Sequence, residues 1–569
     1  MQTLGYSGER TGAAQQASLL ERAGWLEKVP LTLLCGGLLG FSCAGYGVWW
    51  LGWIGLAPLI VLIFGSRSRT EATVNGLLFG IAYHMVALHW LFELHPMDWL
   101  GIKGALSVAV SGQIWFWEAF HQALLTALFA LFVYCLPMRG GILPHWRRPR
   151  FPLLISVPLI WIFLQWVVAP SPWFLGVPID QLAYSQAAMP EMVQVARFGG
   201  AQSVDFLLVL FNCAVAALLI DLTNIARPVV NRADVLSDRL GAIFDIVLVA
   251  AVASGLNSMG QSEVRADAAM PEYWAPPKNI QQVMDAKDPA KRQKLGLPDP
   301  ANYAPAVPVA IVQAKIPIEQ SLHATGTAIA SKYLPLLHEI AAPLVFLPAA
   351  VLGGETRGAE PLLSELPRIA SSQKKDIVLG MRDVHADWHA DEVTVIAQDG
   401  HRERPYIKYR LVPFAEYTPL GPLSAVVPSA LQAKLSGGKQ PARPNQLFIP
   451  KSAFGAIGAS FATELVYPDL IVSEVNRGAS LLVNVSDLSA FHGGMLSQEL
   501  IAAAVLRAVE NGRYIVMASN GGISAVIDPH GVVSAASLRT RSGVIFDRVQ
   551  FFHRKTPFTR MCLWTPLYH

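Results

Sequence analysis

The sequence predicts two unlike halves: a multi-span α-helical membrane bundle over residues 29–256 and a soluble, layered α/β domain over residues 306–555. Three observations lead there. Hydrophobic residues make up 53% of the 569-residue chain and charged residues 15%, against about 25% charged in an ordinary soluble domain. Nearly all the long apolar runs lie before residue 256. After residue 306, short β-rich runs alternate with helical ones.

Residues 1–28 are polar and of mixed charge, which does not make a cleavable signal, so the first apolar run reads as an uncleaved anchor. About seven runs approach the length needed to cross a ~30 Å hydrocarbon core. They centre on 29–47, 48–65, 73–92, 106–136, 151–169, 204–222 and 240–256. Gly45-Tyr46-Gly47 splits the first two into a tight hairpin. Glu118 and His121 interrupt the fourth; inside a span such a pair should face protein or water, more readily as a packed polar contact than as a substrate contact. Nine arginines (Arg67, Arg69, Arg139, Arg147, Arg148, Arg150, Arg227, Arg232 and Arg239) fall in alternate loops, and the other loops hold only Lys103 and Arg197. The positive-inside rule makes the arginine loops and the N-terminus cytoplasmic, so seven crossings place the soluble half outside.

Residues 257–305 form a Pro-rich linker without a core of its own. Beyond it, residues 307–313, 343–348, 376–381, 392–398, 480–485 and 514–519 have buried-strand length and β-branched content. Residues 321–341 and 495–511 read as helices, and Asp528-Pro529-His530-Gly531 as a hairpin turn. The tail, 556–569, follows a stretch with His553, Arg554 and Lys555 and contains Arg560, so residues 549–569 hold no run of spanning length. With 44 Lys+Arg against 41 Asp+Glu, the net charge of +3 gives no support to nucleic-acid binding. Five scattered cysteines without zinc-ligand spacing exclude a disulfide framework or a zinc finger.

Several ordered motifs carry a resemblance. Tyr406-Ile407-Lys408-Tyr409-Arg410-Leu411-Val412-Pro413-Phe414-Ala415-Glu416-Tyr417 resembles the lysine-bearing segment of the apolipoprotein N-acyltransferases. Asn520-Gly521-Gly522-Ile523-Ser524-Ala525-Val526-Ile527-Asp528, preceded by Arg507-Ala508-Val509-Glu510-Asn511-Gly512-Arg513, is similar to that family too. So are Val312-Gln313-Ala314-Lys315-Ile316-Pro317, Leu482-Val483-Asn484-Val485-Ser486 and, in the third apolar run, Gly80, Tyr83, His89 and Trp90. The resemblance covers most of residues 30–555.

It implies a nitrilase-like αββα sandwich on a membrane bundle, in a bacterial inner membrane with the hydrolase domain on the periplasmic side. The implied partners are a phospholipid acyl donor and a diacylated lipoprotein acceptor, with no cofactor. A cysteine thiolate takes the acyl chain as a thioester, and the lipoprotein amine then takes it from the enzyme. A glutamate serves as base, a lysine stabilises the oxyanion, and a second glutamate orients them.

Residue by residue, the family lysine matches Lys408 and the supporting glutamate Glu416. The base, expected after the proline closing the second strand, falls on Ala349. The nucleophile, expected two residues before a glutamate, falls on Ala462, with Glu464 following. The family's further span after the hydrolase domain has no counterpart in residues 549–569. Glu355, Thr463 and Cys562 are poor substitutes for the missing groups, by spacing or by direction. Three readings follow: an inactivated acyltransferase, a natural pseudoenzyme that binds lipid or lipoprotein, and an amide or ester hydrolase with another nucleophile. Trp90, Phe92, Trp99, Trp173 and Phe174 are candidates for lipid contact, weighed against an interfacial aromatic belt.

Overall fold

A computed structural model describes residues 25–136, 150–168, 177–223, 232–268, 306–323, 326–349, 360–384, 388–413, 416, 440–441, 444, 446–492, 494–537 and 542–562. Its first half is helical: α1 (Trp25–Gly40), α2 (Ala57–Phe64), α3 (Arg69–Ala87), α4 (Gly104–Cys135), α5 (Arg150–Phe163), α6 (Ala201–Thr223) and α7 (Arg232–Ala268). Each overlaps one of the apolar runs. By length and composition, three stretches can cross a membrane among the described residues: Gly104–Cys135, Ala201–Ile220 and Ala242–Ser262. Leu51–Phe64 and Leu154–Val168 are shorter apolar helices.

Small residues let these helices approach. A methyl on Gly80 of α3 would lie 2.8 Å from Thr126 Cβ and 3.0 Å from Ala123 Cα of α4, so that contact is open only to glycine. Glu118 and His121 are half-exposed on α4, 3.6 Å apart, and Gln122 Nε2 donates to Glu118 at 2.8 Å. Along α4, Glu118 thus contacts both His121 and Gln122.

The second half stacks two sheets. The strands are β1 (Val307–Gln313), β2 (Leu344–Leu347), β3 (Asp376–Val384), β4 (Trp388–Ile396), β5 (Tyr406–Ile407), β6 (Gln440–Pro441), β7 (Lys451–Ser452), β8 (Gly455–Phe461), β9 (Leu481–Asp487), β10 (Ile515–Asn520), β11 (Ala525–Ile527), β12 (Val533–Ala536) and β13 (Gly543–Val549). The first sheet has the order β13-β1-β2-β3-β4-β5, with β6 beside β4; the second runs β12-β11-β10-β9-β8-β7. All six strands expected from the sequence are present. Seven other strands of the described residues were not among those runs, the two longest being β8 and β13: Gly- and Ala-rich β8 lacks the β-branched run of the expected strands, and β13 carries Asp547 and Arg548. The helix expected over 321–341 is divided into Ile318–His323 and α8 (Gly326–Glu339).

Alternation assigns the faces. Ala310, Val345, Ile377 and Leu379 pack outward against Tyr333 and Leu337 of α8 and Leu362 and Leu366 of α9 (Glu360–Gln373). Ile311, Phe346, Val378 and Val393 point the other way, into a core shared with Ile457, Ala459, Val483 and Val485 of the second sheet. After α10 (Pro468–Asn476), the long α11 (Met495–Asn511) is buried almost throughout. The helical half covers it: Gly45 N donates to Glu499 Oε1 at 3.2 Å, and Ala201 N to Glu510 Oε1 at 2.6 Å. In each sheet the central strands are parallel, β1-β2-β3 and β8-β9-β10. Their carboxyl ends therefore open at one rim, where α/β folds collect ligands.

Candidate functional site

At that rim β8 ends in an elbow. Ala462 takes φ +39°, a left-handed conformation that costs a side-chain-bearing residue about 1–2 kcal/mol. A short 3₁₀ turn, Ala462–Val466, follows at once. Asn484 of β9 braces the elbow, its Nδ2 donating to Ala462 O at 3.1 Å and Ser460 Oγ at 2.9 Å. Such a strained strand-to-helix turn is the geometry that thrusts a nucleophile outward in hydrolases. Here it carries a methyl group.

Glu464 is the anchor. Its fully buried carboxylate accepts from Phe461 N (2.8 Å), Tyr409 N (2.7 Å), Arg410 N (2.7 Å) and Tyr406 Oη (2.9 Å). One side chain thus ties the elbow to the segment around Lys408. Burial pushes the carboxyl above the usual range, against the pull of Lys408 and these hydrogen bonds.

Lys408 follows β5, and its Nζ donates to Glu416 Oε1 at 2.5 Å and lies 6.0 Å from the Phe461 ring centroid. Glu416 Oε2 accepts from Val412 N at 2.9 Å. Burial would lower the ammonium, but Glu416, Asp391 and Glu464 outweigh it and hold Lys408 above the ordinary lysine range. It is a fixed cation.

Ala349 lies just past β2. A methyl on Gly380 of β3 would sit 3.1 Å from Ala349 Cα and 2.9 Å from Val485 Cγ2, so glycine admits this approach. Val485 is the register partner of Phe461, the residue before the elbow. Ala349 therefore lies close to Val485, one strand across from the residue before the elbow.

Two charged residues there escaped the sequence reading. Arg382 stands opposite Asp391 in the β3–β4 register, and its Nε and Nη2 reach Oδ1 and Oδ2 at 2.6 and 3.1 Å. Asp391 O accepts from Lys408 N at 2.8 Å. Arg382, Asp391 and Lys408 thus form a cation–anion–cation row across three strands. Burial raises the Asp391 carboxyl, but Arg382 and then Lys408 overcome this and hold it below the usual range. The signal was a hairpin with opposite charges equidistant from its turn, readable only once the register is known.

The chain matches the apolipoprotein N-acyltransferase N-terminal domain over residues 35–214 and the carbon-nitrogen hydrolase family over residues 308–551. It is 28% identical over 506 residues to an apolipoprotein N-acyltransferase of Gloeobacter violaceus, covering 87% of this chain and 83% of that one. The protein of that name from Nostoc is 25% identical over 506 residues, covering 87% of each. That from Azotobacter vinelandii is 25% identical over 561 residues, covering 96% of this chain and 93% of its own. The chain belongs to the apolipoprotein N-acyltransferase family. Its second half has the nitrilase-like carbon-nitrogen hydrolase fold.

The remaining candidate residues lie elsewhere. Trp90, expected to be exposed, is buried, its ring edge-on to Phe491 with centroids 5.6 Å apart. It closes the contact between the helical half and the loop after β9, where His492 N donates to Glu93 O at 3.0 Å. Trp173, Phe174 and Glu355 lie outside the described residues. Cys562 follows the short helix Pro557–Met561, and burial, with Glu510 nearby, pushes its thiol up to about 11. A thiol so protonated at neutral pH is no replacement nucleophile.

Proposed function

We propose that this chain is a catalytically silent family member that holds phospholipid, and the acyl acceptor of its relatives, at an acyltransferase site without transferring the chain. One observation carries the reading: methyl groups occupy both positions where the family chemistry needs a base and a nucleophile, Ala349 and Ala462, on an otherwise complete scaffold. Lys408 keeps Glu416, Glu464 keeps its four donors, and the elbow keeps its left-handed turn. Lys408 would face the ester carbonyl oxygen, with Glu416 fixing it and Glu464 holding the two segments in place. No thioester forms on alanine, which has no atom to attack with.

Three helices of spanning length and apolarity among the described residues support a multi-pass reading; the apolar runs and arginine-bearing loops of the sequence extend it to seven crossings with the hydrolase-like domain on the periplasmic face of a bacterial inner membrane. Exposed Phe244, Val247, Leu248 and Val252 on α7 form a stripe suited to acyl chains rather than water. Reporter fusions after Arg150 and Arg239 should read cytoplasmic and a fusion after Gly260 periplasmic; a cytoplasmic signal from the last breaks the seven-span topology.

The deciding experiment is intact mass after incubation with phospholipid. The chain as it stands should bind lipid and gain no acyl adduct. Losing a nucleophile costs on the order of 10⁶ in turnover in the best-studied hydrolase, and losses within one catalytic unit do not add. Ala462→Cys with Ala349→Glu should acquire an adduct and transfer activity. Ala462→Cys alone should stay slow, because without a base a thiol of pKa ~8.5 is mostly protonated. An adduct on the unmodified chain overturns the silent reading.

A further inference from the structure

The row Arg382–Asp391–Lys408 is not used evenly. The Lys408 side chain is 7% exposed and bound to Glu416, and Asp391 is 15% exposed and spanned by the Arg382 fork. Arg382 itself is 40% exposed. Its Nε and one Nη2 proton are committed to Asp391, and among the described residues Nη1 has no hydrogen-bond partner. A guanidinium has five donors in a planar fork, so one edge of Arg382 is held while the other stays available. That held edge fixes the guanidinium plane at little further entropic cost.

Arg382 also faces the right place. On β3, Val378 packs into the core between the sheets, Gly380 touches Ala349, and Arg382 is the next residue on that face, one step further toward the rim. The open guanidinium therefore lies on the rim side of Ala349, with Asp391 between it and the Lys408 segment. Burial would lower the Arg382 guanidinium, but Asp391, then Glu416 and Asp487, hold it charged, and alanine at 349 adds no further carboxylate beside it.

We infer that the open edge of Arg382 binds the phosphate of a glycerophospholipid whose ester end lies deeper, toward Lys408 and the elbow. This rests on the lipid-holding reading above and adds what selects the lipid: a phosphodiester at the rim, recognised by a preoriented fork. Diacylglycerols, which lack the phosphate, would be held by their chains alone.

The test uses the full chain in detergent and measures binding of dihexanoylphosphatidylglycerol, dihexanoylglycerol and inorganic phosphate by native mass spectrometry. R382Q should weaken the phospholipid roughly tenfold, the scale of one charged bidentate contact, and leave dihexanoylglycerol unchanged. D391N, which releases the second edge of the fork, should bind the phospholipid as well as or better than the unmodified chain. R382K, with its charge kept, guards against a folding defect and should fall between. Equal weakening by R382Q and D391N would mark a structural ion pair and overturn the assignment, as would R382Q weakening both lipids alike or neither. Inorganic phosphate bound as tightly as the phospholipid, with the same loss in R382Q, would assign the site to free phosphate and overturn the lipid. If the unmodified chain binds neither lipid, the lipid-holding reading itself fails and the Arg382 assignment with it.

Discussion

The rim of the sheets and the junction with the helical half bury charge in opposite ways. At the rim each buried charge meets an opposite charge or several donors: Lys408 meets Glu416, Asp391 meets Arg382, and Glu464 collects donors from the elbow and the lysine segment. At the junction Arg507 pairs with Glu510 at 3.0 Å, but Glu499 has no cation among the described residues. Its Oε1 accepts from Gly45 N, while its buried Oε2 has no partner among them. Burial, reinforced by Asp180 against the backbone donors Gly45 and Ala44, pushes Glu499 up to about 8.

The difference bears on how the retained residues should be read. Removing one member of a compensated buried array strands the others, so such an array persists whether or not chemistry follows. Glu464 and Lys408 are explained by folding alone, and their presence is weak support for turnover. Ala349 and Ala462 anchor no such array, which makes them the informative positions.

The largest effect expected from the comparison is at Glu464. Glu464→Ala leaves Tyr409 N, Arg410 N and Phe461 N without their acceptor and Lys408 with one fewer anion, at a cost of about 3–5 kcal/mol. Denaturant unfolding of the full chain in detergent measures it. A loss under about 1 kcal/mol would show that the rim does not depend on its anchor.

The junction should respond to pH. The folded-state pKa of Glu499, about 8, stands above the unfolded carboxylate value of ~4.3, so between them the folded chain binds the extra proton. Stability from this group is present below pH ~4.3, falls as pH rises, and is lost above pH 8. Glu499→Gln keeps an oxygen for Gly45 N and removes the titration. It should match the parent near pH ~4 and exceed it by on the order of 5 kcal/mol at pH ~8. Parallel stability curves across that range would place a hidden cation beside Glu499 and erase the contrast with the rim.

How much of this was legible beforehand follows the range of the interactions. The strands of high β-branched content and the helix over 495–511 were readable because hydrophobic run length and period are local. Lys408, Glu416 and the two alanines were picked out by the family resemblance, and the structure joins Lys408 to Glu416 and ties the lysine segment to the elbow through Glu464. The Arg382–Asp391 pair was hidden because cross-strand register is nonlocal. Asn484 looked like one more strand residue until the elbow lay beside it. Trp90 was misread as exposed because its cover, Phe491, comes from the other half of the chain.

The smallest effect separates the two alanines from each other. Ala462 sits at φ +39°, whereas Ala349 is not among the positive-φ residues. Glycine at 462 removes a left-handed penalty of about 1–2 kcal/mol, and the looser unfolded chain returns about 0.4–1 of it. Ala462→Gly should therefore raise stability by about 0.5–1 kcal/mol. Ala349→Gly relieves no strain, gives up the packing of a half-buried methyl, and should lower stability by a similar amount. Melting temperatures of the two variants, measured side by side in one detergent, should move in opposite directions. If both fall, the elbow holds no strain, and the retained turn at 462 no longer marks a nucleophile's position.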